Sequence, residues 1–165
     1  MVGQTWDGRP LPESEQAVIR LRPGVETWVI EVEAPFAGDP APGGEAGSTP
    51  GLWDFEVVEL FVLDADGHYT EVELGPWGHY LVLNLSGVRQ VSSQGHAIDF
   101  AVQRADGRWS GIARVDAGLF PVRPSRVNAY AIRGVGQARR FHAHAAVPGS
   151  APDFHRLHCF VAFEP

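Results

Sequence analysis

Trp53-Asp54-Phe55-Glu56-Val57-Val58-Glu59-Leu60-Phe61-Val62-Leu63, a turn at Asp64-Ala65-Asp66-Gly67, and the return Tyr69-Thr70-Glu71-Val72-Glu73-Leu74 together decide the fold class. Val57–Leu63 is too short for a buried helix and rich in β-branched and aromatic residues, so it reads as a strand. Its apolar character on both parities predicts burial of both faces, with Glu59 as the exception. Asp-Gly after a strand is a hairpin signal. Tyr69–Leu74 then pairs antiparallel and presents Glu71 and Glu73 on one face. The register decides what the hairpin carries. If Glu59 stands opposite Glu73, three carboxylates converge beside Trp53, whereas a slip of one residue sends them to opposite faces.

Working outward, the same period-2 signal recurs. Ala17–Leu21 reads as a strand, and Thr27–Glu33 more clearly so, with Trp28, Ile30 and Val32 on one face. Ala37–Gly51 is dense in Gly, Pro and Ala and reads as a long surface loop. Gly75-Pro76 and Gly78 break the chain before a strand at His79–Leu85. Further strands are expected at Ile98–Val102, Arg108–Val115, Asn128–Gly134, Arg140–Ala146 and Phe160–Phe163. Asp116–Phe120 is expected to form one helical turn started by Asp116 and closed by Pro121. Many short strands with regularly spaced turns indicate an all-β antiparallel sandwich. With no repeat and no linker, residues 1–165 read as one domain of a size that needs no disulfide or metal to fold.

The chain has 165 residues and a net charge of −7, and all 13 of its fixed cations are Arg. No basic cluster is present, which argues against nucleic acid as a partner. No apolar stretch approaches the ~20 residues of a membrane span. Met1–Leu11 has no apolar core of a signal peptide, and the single cysteine, Cys159, excludes an internal disulfide. A cytoplasmic location is the simplest reading.

Three like charges on one face repel unless a cation, an Arg or a hydrogen-bonding ligand joins them. Arg133 and Arg140 lie on later strands and are the available partners within the chain. One reading is therefore an internal charge network around a core Trp, in a structural or interaction protein. The other is a sugar site, where an indole stacks on a pyranose while carboxylates and Arg bind its hydroxyls. The exposure of Trp53 separates the two: an exposed ring at a concave face marks a platform, a buried one marks core.

Trp53 through Phe61, Tyr69-Thr70-Glu71-Val72-Glu73 and Pro76, Arg108–Val115, Asn128–Gly134 and Pro152-Asp153-Phe154-His155 together resemble type-9 carbohydrate-binding modules and their DOMON-like relatives. A closer resemblance runs through Thr5-Trp6-Asp7-Gly8, Ala34-Pro35-Phe36 and Asp39-Pro40 to Asp153-Phe154-His155. It is to an uncharacterised family of this same class found in bacteria and animals, and it covers nearly the whole chain. The resemblance implies a jelly-roll-like β-sandwich and a non-catalytic module that binds a small carbohydrate or polyol. In the sugar-binding modules two Trp side chains clamp a terminal sugar. Trp53 matches the first, and Glu59 matches an acidic hydroxyl binder. Glu71 and Glu73 stand where sugar binders can carry Gln and Arg, and His144 stands where the second Trp would fall. Arg133, His144 and His155 are expected at the rim.

Other chemistries are weaker in the sequence. His142, His144, His155 and His158 with Asp153 match no standard zinc spacing. No cofactor motif is present. Calcium on Asp39, Asp54, Glu56 and the hairpin carboxylates is the one metal the resemblance admits, without EF-hand spacing. Haem would need a Met or His ligand, and the sole Met is Met1. Glycoside hydrolysis uses paired carboxylates about 5–9.5 Å apart, but a small sandwich without long substrate loops offers little cleft for it. The expectation is a protein that binds and does not catalyse.

Overall fold

The computed structural model describes residues 1–163 as two antiparallel sheets packed face to face. The larger sheet holds β1 (Gln4–Thr5), β4 (Val57–Leu63), β5 (Tyr69–Leu74), β6 (Tyr80–Leu85), β7 (Val91–Gln94), β10 (Arg126–Arg133), β11 (Arg140–Ala143) and β12 (Val161–Ala162). Its order is β1-β11-β10-β4-β5-β6-β7, with β12 pairing the start of β10. The smaller sheet holds β2 (Val18–Arg22), β3 (Thr27–Pro35), β8 (Asp99–Ala105) and β9 (Arg108–Asp116), in the order β2-β3-β9-β8. The all-β sandwich read from the sequence is the fold observed.

Alternation along each strand builds the core between the sheets. Trp28, Ile30, Val32 and Ala34 of β3 meet Val58, Leu60 and Val62 of β4 and Val72 and Leu74 of β5. Trp28 stacks on Phe120 with ring centroids 4.1 Å apart. Gly111 on β9 lets the sheet close over a ring, because a Cβ there would lie 2.7 Å from Phe100. The outer face of the small sheet is polar and solvated: Arg20 pairs with Glu33 at 2.7 Å, Arg22 with Glu31, and Arg114 with Asp99 at 3.7 Å.

The larger sheet is buried on its second face too, as the apolar run of β4 predicts. Val57, Phe61 and Leu63 point there with Leu81, Leu83 and Leu85 of β6 and Tyr130 and Ile132 of β10. No sheet covers this side. Leu52 comes down from the turn before β4, and Val147, Phe154, Leu157 and Phe160 come from the segment after β11. Loop segments cover a flat sheet unevenly, and a cavity remains beneath them.

Two short strands, β1 and β7, carry no signal in the sequence: β1 is two polar residues, and β7 is a mostly exposed Val-Ser-Ser-Gln. The helical turn expected after β9 is a 3-10 turn at Ala117–Leu119, with the Asp116 carboxylate accepting from Gly118 N–H at 2.7 Å. Four more three-residue 3-10 turns occur, at Glu13–Glu15, Leu52–Asp54, Gly136–Ala138 and Leu157–Cys159. Elements of one turn have no periodicity to read. The segment Ala37–Gly51 is a loop, pinned at its start by Glu56, whose carboxylate accepts from Ala37 N–H (2.8 Å) and Asp39 N–H (3.2 Å). No helix among the described residues is long and apolar enough to cross a membrane.

Candidate functional site

The β4–β5 hairpin sets Glu59 opposite Glu73 and Phe61 opposite Glu71. All three carboxylates therefore rise from one face of the large sheet, and each is at most 4% exposed. β10 places Tyr130 beside Glu59 on the other flank. A cavity of about 540 Å³ lies above them. Glu59, Glu71, Phe61, Leu83 and Ile132 line its floor; Trp53 and Asp54, Arg139, Arg89, and Asp153 through His155 form its walls. Glu73 is buried on the same sheet face and does not line the cavity.

Trp53 is 45% exposed and lines this cavity. Its backbone is fixed rather than its ring: Arg139 donates to the carbonyls of Trp53 (2.6 Å) and Asp54 (2.9 Å). Gly134 makes this reach possible. It turns the chain at φ +80, where a Cβ would lie 2.4 Å from the Ala138 carbonyl. The opposite wall is tied with equal care. Tyr69 Oη shares a 2.7 Å hydrogen bond with His155 Nδ1 and accepts from Arg89 N–H at 3.1 Å. The Arg89 guanidinium donates to Asp153 at 2.9 Å. Phe154 stacks on Tyr130 at 3.7 Å, nearly parallel. Hydrogen bonds and stacking thus preform both walls.

The carboxylates are the unsatisfied part. Glu71 Oε2 and both carboxylate oxygens of Glu73 are buried without a hydrogen-bond partner. Among the described residues none of the three glutamates forms an ion pair. Burial pushes Glu71 up to about 8, with Glu73 and Arg89 pulling part of the way back. Burial, then the charges of Glu59 and Glu71, pushes Glu73 up to about 10. Glu59 is raised by burial and by Glu71, against a smaller pull from Arg139. A protonated carboxyl both gives and accepts hydrogen bonds. Burial holds His155 down to about 4, with Arg89 adding to it, so its ring is neutral near pH 7.

Of the residues singled out in the sequence, Trp53, Glu59, Glu71 and His155 come together on this cavity, and Glu73 is buried on the same sheet face without lining it. Arg133 and His144 stand elsewhere. Arg133 points to the other face of the sheet and pairs with Glu15 at 2.8 Å, and His144 shares a 2.9 Å hydrogen bond with the Met1 carbonyl. Arg140, expected as a partner for the acids, instead donates to the carbonyls of Gln137 and Arg139. Arg89 and Arg139, which the sequence reading passed over, are the cations in the cavity walls.

The possible calcium ligands are divided as well. Glu56 and Asp39 spend their oxygens on backbone N–H groups, Asp39 accepting from Gly134 at 2.6 Å. Among the described residues, one trio brings metal-ligand atoms within 4.8 Å of one another: Asp64, Asp66 and His68. There Asp64 Oδ1 already accepts from the N–H groups of Asp66 and His68, both at 2.9 Å, which is the hairpin turn itself.

No family model matches the sequence. By fold, the chain is similar to a Bacteroides uniformis crystal structure described as a "putative carbohydrate-binding protein", with a TM-score of 0.72 over 90% of this chain and 78% of that one. The two are 17% identical, so the likeness is one of fold. By sequence it is 41% identical to the human UPF0462 protein C4orf33, over 98% of this chain and 85% of the human protein. Homologues of that protein in zebrafish (Danio rerio) and rat (Rattus norvegicus) are 38% and 42% identical, covering 98% and 96% of this chain and 86% and 84% of their own lengths. The chain belongs to the UPF0462 (C4orf33) family.

Proposed function

We propose that this protein binds a small carbohydrate or similar polyol in the cavity above Glu59 and Glu71, and does not cleave it. The observation that carries this reading is an exposed indole at the edge of a preformed cavity whose floor holds buried carboxyl groups without partners. An indole face takes the apolar side of a sugar ring. Hydroxyls would supply the missing hydrogen bonds, and each buried polar group left unmade costs about 1–3 kcal/mol. The resemblance to type-9 modules and the fold of the Bacteroides uniformis protein support the same reading.

The clamp differs from two facing Trp rings. Trp53 supplies one platform, and the other ring side chains lining the cavity include Phe154, Phe141 and His155. An internal charge network would require the acids to be paired with Arg, and Arg133 and Arg140 are engaged elsewhere. Hydrolysis would require one carboxyl ionised as base or nucleophile beside a protonated acid. Burial drives all three glutamates toward the protonated form, which suits binding.

The test is calorimetric titration with mono- and disaccharides, with and without Ca²⁺, on the parent protein and Trp53→Ala. A saturable heat that is lost in Trp53→Ala, with the unfolding midpoint nearly unchanged, is the expected result. A flat response across the panel contradicts the reading and favours an interaction scaffold. Turnover of chromogenic glycosides would contradict its non-catalytic part.

A further inference from the structure

The cations of the cavity wall are committed before any ligand arrives. Arg139 is held by the carbonyls of Trp53 and Asp54, and Arg89 by Asp153. Glu71, by contrast, lines the cavity at 4% exposure with Oε2 unpartnered, and Glu59 beside it forms no ion pair among the described residues. The free acceptor in the cavity is therefore a carboxylate oxygen, and no Arg lies within ion-pair distance of it among the described residues. Its complement is a donor-rich ligand with positive charge.

We infer that the ligand is a polyol bearing an ammonium group, an amino sugar or a polyhydroxylated amine, whose nitrogen sits on Glu71 beside Glu59. This rests on the polyol reading above. An ammonium brings three donors and no acceptor, which suits carboxylate oxygens that lack any donor. Charge-assisted hydrogen bonds are roughly twice as strong as neutral ones. The exposed face of Trp53 also tolerates a cation beside the ring it stacks on. A neutral sugar satisfies the hydrogen bonds while leaving the carboxyls protonated.

Proton movement distinguishes the two ligand classes. Near pH 7 burial keeps Glu71 largely protonated. A bound ammonium replaces that proton, which passes to the buffer, so about one proton is released per ligand bound. The groups that set this exchange are Glu59 on β4, Glu73 on β5, Asp54 and Arg139 on one wall, and Arg89 and His155 on the other.

Glucosamine, galactosamine and mannosamine would be titrated beside glucose, galactose, mannose and N-acetylglucosamine, in two buffers of different ionisation enthalpy. The amines are expected to bind about ten-fold tighter than their parents, as the gap between charged and neutral hydrogen bonds implies. Proton release should accompany the amines alone. Glu71→Gln, checked for folding by its unfolding transition, should erase the preference and the proton release, so that each amine binds no tighter than its neutral parent; Glu59→Gln serves if Glu71→Gln does not fold. Neutral sugars binding as tightly as the amines, or a preference that survives in the folded glutamine variant, would overturn the inference and leave the polyol reading standing. No binding by either set would overturn both.

Discussion

The two faces of the larger sheet obey one alternation and end in different chemistry. Even-numbered residues of β4 and β5, such as Val58, Leu60 and Val72, enter an apolar core packed against the second sheet. Odd-numbered residues on the same strands include Glu59, Glu71 and Glu73, roofed by loops that leave a cavity. A sheet can cover a sheet without gaps because both are regular, whereas loops leave gaps. The face whose cover is irregular is the face with space for a ligand, and it is also where buried polar groups lack partners. One face is closed by regular packing, and the other leaves a cavity floored by buried carboxyl groups.

The sharpest way to break this contrast is to truncate one Trp on each face. Trp28→Ala, in the closed core and stacked on Phe120, should cost roughly 3–5 kcal/mol in chemical denaturation. A loss below about 1 kcal/mol would mean that the closed face is not the stabilising one.

The pH dependence of stability sharpens the contrast next. Glu71 and Glu73 have folded values of about 8 and 10, above the usual carboxylate range, so the folded state holds protons that the unfolded chain has lost. Stability should therefore fall as pH rises, by up to ~1.4 kcal/mol per pH unit for each carboxyl. His142 and His155, both held down to about 4, act in the opposite sense below pH 6.5, because they stay neutral in the fold and charge in the unfolded chain. Between pH 6.5 and 8 the two carboxyls are opposed only by the Met1 amino group, which burial holds below its usual value, and the thermal midpoint should decline there. The double variant Glu71→Gln/Glu73→Gln should flatten that decline. A midpoint that rises across this window would contradict the buried, protonated state of the cavity floor.

The smallest expected effect on stability is Trp53→Ala. With Trp53 45% exposed, the change should cost no more than about 1 kcal/mol, even though ligand binding is lost. A cost comparable to that of Trp28→Ala would make Trp53 part of a core and remove the platform.

Most of this architecture was legible because alternation and turn chemistry act locally. Val57–Leu63 and Tyr69–Leu74 have the bounds read from their residues alone, and the Asp-Gly turn joins them. The register, Glu59 opposite Glu73, was not legible, since turn residues allow more than one pairing. Parity could have corrected the rim. On β10 the even residues Tyr130 and Ile132 pack on the cavity side of the sheet, so Arg133 must face away. On β11 Phe141 and Ala143 pack on that same side, which turns His142 to the other. Arg89 and Arg139 lie in turns, where no period marks a direction. Arg89 has a φ of +58 and could not be placed by any strand pattern. Their roles depend on contacts between segments far apart in sequence.

The claim that ties these observations together is that the loop-roofed face, and not the closed core, meets the ligand. Among the five Trp residues, Trp53 belongs to one face and Trp28 to the other. The most direct measurement follows their indole N–H signals by NMR during titration with the tightest-binding sugar or amine of the panel. The account predicts a saturable shift of the Trp53 signal with Trp28 unmoved. A ligand that binds while Trp53 stays still would contradict it.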